Sequence, residues 1–560
     1  LFRKAAEGRT IPICNRFSRI SAVALAAAIT FSGAAEANNP LAEYARARVA
    51  DASGQIDLAA RGYASALTDA PFDQTLAART YRRAVAAGDR NLALRGAQSL
   101  QAADALPPDG EFLFLIEALE DGDWTEARRI VDRIEEQGLF ASLSTVMRAW
   151  IAFGAGDEDP LAILDRETDS SVATAYISEH RALMLLAMRR YDEGISATLG
   201  LTNLGAPRFL RLRLAAAARL AQARRRDDAI ALLPGNSRAE LSARANIERR
   251  RSVPGAIDSA ADGIAEMFVR LATEINRQNA SSLALTISRF ATFLAPDNSV
   301  GWFVTSGILN QADQEDAALA ALDSVDRRDP FFSDVQDMRV QLLAQTNETD
   351  AALELARAQA ERRNAAAADW QRYGERYAAI GRYEEAADAY GRALTLAGGD
   401  DAPWTAWLLY GGALLDADRW DESRPALEKA VERGPDQPVV LNYLGYALLE
   451  RREDLDYAEE LIRRASELNP DSPSITDSLG WVHYVRGNLD QAIPMLERAA
   501  VGEPAEPTIN EHLGDAYWAA GRRRDARFAW QAALVSAEDD MAERIQQKID
   551  IGLTAETASP

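Results

Sequence analysis

Few side chains in this chain are equipped to make or break bonds. Among 560 residues there are three histidines, His180, His483 and His512, and one cysteine, Cys14. His483 and His512 lack metal-ligand spacing and His180 stands alone, so each reads as a structural or surface histidine. One cysteine excludes a disulfide within the chain and any cysteine-based zinc centre. Of 62 basic residues only Lys4, Lys429 and Lys548 are lysines. None follows a glycine, which excludes a phosphate-binding loop. The 85 acids are too many for any pair to stand out as general acid and base. There is no zinc-protease helix, nucleophile elbow or dinucleotide fingerprint. Arginine runs at 224–226, 249–251 and 522–524 abut turns and suit helix-end charges, and a net charge of −23 repels a phosphate backbone. The expectation is no catalytic residue, cofactor, metal or nucleic acid. What remains is binding.

The first 37 residues read as an address. Arg3, Lys4, Arg9, Arg16 and Arg19 precede an apolar run from Ile20 to Phe31, and the small-residue stretch that follows ends at Ala37. That order predicts a cleavable secretory signal over 1–37. Twelve apolar residues are too few for a membrane span, which needs roughly 20. Cleavage after Ala37 would remove five basic and two acidic residues and take the charge from −23 to −26. Cys14 lies before the apolar run, where it cannot serve as a lipid-attachment cysteine. The expected location is periplasmic, with the periphery of the outer membrane as one place the chain could sit, and no transmembrane segment in the mature protein.

The rest of the chain repeats one pattern. In the C-terminal half, small residues that open the second helix of each pair fall at Ala284, Ala318, Ala352, Ala386, Ser423, Ala458, Ala492 and Ala526. Their spacings are 34, 34, 34, 37, 35, 34 and 34. In one unit Trp370, Tyr373, Gly374, Tyr377, Ala386, Tyr390 and Ala393 stand at fixed offsets. Gly411, Gly445, Gly480 and Gly514 mark the same position in the next four units, and Pro435, Pro470 and Pro504 stop second helices. The pattern resembles the tetratricopeptide repeat, with Tyr where Leu is usual. The predicted fold is all-α: a right-handed superhelical solenoid of antiparallel helix pairs, about 13–15 helical hairpins with a C-terminal capping helix.

Ala59, Ala93, Ala127 and Ala229 carry the rhythm more faintly through the N-terminal half, and the register drifts between 140 and 265. The expected organisation is degenerate repeats over 38–262, a regular array over 263–535, a capping helix over 536–553 and a loose tail over 554–560. Met541, Ile545 and Ile549 give that last helix a single apolar stripe.

The resemblance implies that first helices line a concave groove. Counting from each glycine, it assigns Asn442, Tyr446 and Leu449 to the groove from one unit, Asp477, Trp481 and Tyr484 from the next, and Glu511, Asp515 and Trp518 from the last. Rigid aromatics beside acids would suit an extended or helical peptide of apolar and basic character. These units lack a tryptophan at position four, so the same rings could instead fill the core. The acids exclude a basic clamp for a terminal carboxylate.

LNYLGYALLE (441–450), DSLGWVHYVRGNLDQAIPMLERA (477–499) and INEHLGDAYWAAGRRRDARFAWQAAL (509–534) resemble a bacterial envelope family of tetratricopeptide proteins. That family includes outer-membrane lipoproteins that act as adaptors of a carboxyl-terminal processing protease and bring it cell-wall hydrolase substrates. The missing lipid-attachment cysteine is a departure from it. The resemblance implies a non-catalytic exported scaffold that binds proteins through its groove, as an adaptor presenting substrates to an envelope protease. The alternative is a structural subunit of an envelope polysaccharide-export or secretion complex.

Overall fold

Helix pairs follow one another because each second helix opens on a residue small enough to admit its neighbour. All eight anchors, from Ala284 to Ala526, lie on second helices and are at most 1% exposed. Where the first helices cross them, glycine removes the remaining obstruction. A Cβ on Gly480 would stand 2.9 Å from the Leu496 side chain, and one on Gly514 would stand 2.3 Å from the Trp530 indole. The glycine therefore abuts the large residue four positions after the anchor, one helical turn along. Pro438, Pro473 and Pro507 occupy the first turn of successive first helices, where a missing N–H costs nothing.

The turn inside each pair needs a residue in the left-handed region. Gly54, Gly88, Gly122 and Gly156 supply it in the first four pairs, with φ of 76°, 80°, 69° and 68°. Asn279, Asp313, Asn347 and Gly381 do so later at the same 34-residue interval.

The computed structural model describes residues 40–166, 170–202, 209–555 and 557–559. The expected leader over 1–37, with Cys14, lies outside them. The described residues contain no strand, and fourteen consecutive helix pairs can be paired off, with Arg238–Glu248 and Asp539–Ile551 left single. Among them no helix is long and apolar enough to cross a membrane. They form two compact units, one ending at Ala352 and one beginning at Leu353.

That division falls later than the change of regularity expected at 262, for a physical reason. The helix Ala260–Arg277 and its partner Ser281–Leu294 pack back on much earlier helices, Gln74–Ala87, Glu111–Asp121 and Ser144–Ala155. Phe268 and Phe290 meet Phe112 with ring centroids 4.9 and 5.9 Å apart, and Gly263 lies against the Trp150 indole. Arg289 donates two hydrogen bonds to the Ala86 carbonyl at the end of Gln74–Ala87, a favourable place for a cation. The drifting stretch contains shortened second helices, Pro160–Leu164 and Arg226–Ala231, and the lone helix Arg238–Glu248.

The second unit runs through Trp404–Asp416 and Trp420–Arg433, then Pro438–Glu450 and Leu455–Leu468, then Pro473–Val485 and Leu489–Gly502, then Pro507–Ala519 and Arg523–Leu534. Asp539–Ile551 closes it. Where a loose tail was expected, Thr557 and Ser559 are buried. Thr557 is tied to Thr554, and the Ser559 hydroxyl donates to Asp515 at 2.8 Å.

Candidate functional site

Three first helices, Pro438–Glu450, Pro473–Val485 and Pro507–Ala519, carry the nine residues assigned to a groove. Ser472 starts the middle one by accepting a hydrogen bond from the Ile475 N–H. Because residues four apart share a helix face, Asn442 and Tyr446 emerge together, as do Asp477 and Trp481, and Glu511 and Asp515.

The structure gathers most of these residues into one cluster, but it does not leave them on an open face. Leu449 is 2% exposed and belongs to the apolar core. Trp481, also 2% exposed, stacks on Tyr484 at 4.3 Å and on His512 at 4.0 Å, with interplanar angles of 12° and 11°. The alternative role for that ring, as packing, is the one it fills. Asp477 is buried and accepts from His512 Nδ1 at 2.9 Å. Tyr446 is half-buried, with its hydroxyl 3.4 Å from His512 Nε2. Asn442 is half-buried, and its Oδ1 is enclosed with no hydrogen-bond partner.

At the last pair, the capping helix and tail cover the assigned face. Glu511 accepts from Arg544 at 2.9 and 2.8 Å and from Lys548 at 2.7 Å. Asp515 accepts from Lys548 at 2.9 and 2.8 Å and from the Trp530 indole at 2.9 Å. Trp518 lies against Gly552 and Trp530, under the Arg523 guanidinium at 3.8 Å. The acids are therefore neutralised from within the chain. Lys548 is fully buried, which two carboxylates and the Ser559 hydroxyl make tolerable.

His512, Arg544, Lys548 and Ser559 have no place in the sequence assignment. A signal for Lys548 exists: it stands 34 residues after Gly514, at the position of the next packing glycine. At that position the long Lys548 side chain reaches Glu511, Asp515 and Ser559.

Electrostatics follow the packing. Burial alone would raise the Glu511 carboxyl, yet Arg544 and Lys548 pull it down to about 2. Burial would lower the His512 imidazolium, but Asp477, with Glu511 and Asp515 beyond it, more than offsets this and raises it. Burial, with Glu450 and Asp477 nearby, pushes the Tyr446 phenol well above its usual range. Both His512 nitrogens are engaged and the ring is closed off from solvent. This histidine is built to hold a charge pair, with no free edge to offer a substrate proton. Among the described residues no cluster of three His, Cys, Asp or Glu could hold a metal ion.

Beside this network lies a cavity of about 500 Å³, bordered by Asn442, Tyr446, Glu450, Glu511, His512 and Arg544. That volume is within the range of sites that enclose a small ligand or a few side chains.

Most of the residues that border the cavity lie in segments matched by a known repeat model. The tetratricopeptide repeat profile matches residues 374–438, 408–473 and 478–542. A TPR repeat-containing protein of Pseudomonas aeruginosa, PA4667, is 42% identical over 84 residues, which cover 15% of this chain and 14% of that protein. The chain thus aligns with only a small part of that relative's length. Solved structures with similarity include TTC0263, a thermophilic TPR protein of Thermus thermophilus, at 23% identity and a TM-score of 0.30. That match covers 33% of this chain and all of that one. A MamA crystal structure matches at 23% identity and a TM-score of 0.25, over 29% of this chain and 93% of that one. The glycine and alanine contacts recur through the same residues that the profile matches. Residues 374–473 and 478–542 of this chain are tetratricopeptide repeats.

Proposed function

We propose that the chain is a non-catalytic exported scaffold that binds a protein segment at the face formed by its last first helices and presents it to an envelope protease. Tetratricopeptide repeats are binding scaffolds whose stacked pairs build an extended surface. The observation that carries the reading is the cavity, bordered by residues from three successive first helices, Pro438–Glu450, Pro473–Val485 and Pro507–Ala519. Export is supported by the basic, apolar and small-residue order of 1–37. The adaptor role is supported by the resemblance of 441–450, 477–499 and 509–534 to the envelope family.

The test is affinity purification of residues 38–560 from envelope extract with mass spectrometry, run beside Asn442→Trp, which fills the cavity with an indole. Helicity is checked for both. A processing protease and wall hydrolase recovered with the parent and lost with the variant are the expected result. A fixed multi-subunit export complex recovered equally with both would replace the adaptor reading with a structural one.

A further inference from the structure

The cavity has a charge of its own. Arg544 is committed to Glu511, and His512 to Asp477. Two more carboxylates border the cavity, Asp416 and Glu450. Neither has a cationic partner within ion-pair distance among the described residues. The rings of Tyr443 and Tyr446 border the cavity as well. Asn442, Tyr443, Tyr446 and Glu450 follow one another along the single helix Pro438–Glu450, and Asp416 closes the neighbouring first helix, Trp404–Asp416.

We propose that this cavity takes the cationic end of a side chain, a guanidinium or ammonium, from the segment the protein binds. A guanidinium carries five N–H donors and no acceptor, and an ammonium carries three. Either supplies the positive charge that Asp416 and Glu450 lack among the described residues, and either gains from the face of a tyrosine ring. An acidic or carboxylate-ended segment would meet two carboxylates that have no cationic partner among the described residues, so the site selects against it. The inference rests on the peptide-binding reading above and specifies what the bound segment must carry.

The test uses full-length protein and fluorescein-labelled Ala/Leu decapeptides that differ only at a central Arg, Lys, Gln or Glu, read by fluorescence anisotropy. Acetylarginine methylamide is the free-cation probe, read by displacement and by perturbation of tyrosine NMR signals. The Arg and Lys peptides are expected to bind about tenfold or more tighter than the Gln peptide, with Glu weakest. The preference should disappear in Asp416→Asn/Glu450→Gln, with helicity and melting temperature unchanged because neither residue is ion-paired among the described residues. It should persist in Lys429→Ala. Equal binding of all four peptides would overturn the cation site while leaving peptide binding intact. No binding of any peptide, with unperturbed tyrosine signals, would overturn both. Acetylarginine methylamide binding as tightly as the Arg peptide would overturn the peptide as source and assign the cavity to a free cation.

Discussion

His180 and His512 are both enclosed, yet their surroundings drive the imidazole in opposite directions. His180 Nδ1 accepts the Trp150 indole N–H at 3.1 Å, which requires a neutral ring. Burial, aided by Arg270, holds its pKa down to about 3 from 6.5. Below pH 6.5 the unfolded chain takes up a proton that the folded unit refuses, so the N-terminal unit should lose up to about 1.4 kcal/mol per pH unit as the medium acidifies. His512 behaves the other way. Its folded pKa is raised, so its contribution is complete below 6.5 and fades as pH rises through the elevated value. Segment-resolved hydrogen exchange against pH should show these opposite slopes, with His180→Asn flattening the first and His512→Gln the second. Lys548 makes a sharper case. Lys548→Met would leave Glu511 and Asp515 facing each other without their buried cation, at a cost of about 3–5 kcal/mol. The urea transition followed by Trp518 and Trp530 fluorescence should shift accordingly, and Glu511→Gln/Asp515→Asn in the same chain should restore much of the loss.

Among the helices, two kinds of glycine carry different loads. Gly514 keeps a crossing point clear, and Gly514→Ala drives a methyl group into the Trp530 ring, an overpacking that should cost about 1–3 kcal/mol. Gly521 meets nothing within 4 Å but sits at φ of 80°, so Gly521→Ala should cost only about 1–2 kcal/mol of backbone strain. Adding a Trp530→Ala change to each variant and measuring melting temperatures separates the two: only the Gly514 effect should shrink. The helix pairs were legible because small anchors and crossing glycines recur at a fixed interval, a local property of the chain. The turn glycines Gly54, Gly88, Gly122 and Gly156 recur equally strictly and would have brought the N-terminal half into register. The return of Ala260–Arg277 onto helices more than a hundred residues earlier was not legible, because no local spacing encodes a contact between distant apolar faces. For the same reason the site was half visible. Asp477, Glu511 and Asp515 could be assigned to one face by counting, whereas the cations that neutralise them come from a capping helix and tail whose fold-back depends on packing.

Over the whole molecule, the contacts divide the chain between Ala352 and Leu353. Each unit has its own apolar clusters, so a fragment spanning 353–560 should fold alone. Its far-ultraviolet dichroism per residue and its exchange protection around 440–519 should match those of the full chain, and loss of either would show that the units depend on each other. The scarcity of lysine has a practical consequence for watching this unit open. Among the described residues Lys429 and Lys548 are the only primary side-chain amines. Lys429 is 28% exposed on its side chain and Lys548 is sealed. An amine-acylating reagent should therefore mark Lys429 promptly, a handle for a dye in the repeat beside the cavity that peptide mapping separates from Lys4 and the α-amine. It should mark Lys548 only in molecules whose C-terminal cover has lifted. The slow second acylation, timed by mass spectrometry, becomes a clock for that lifting.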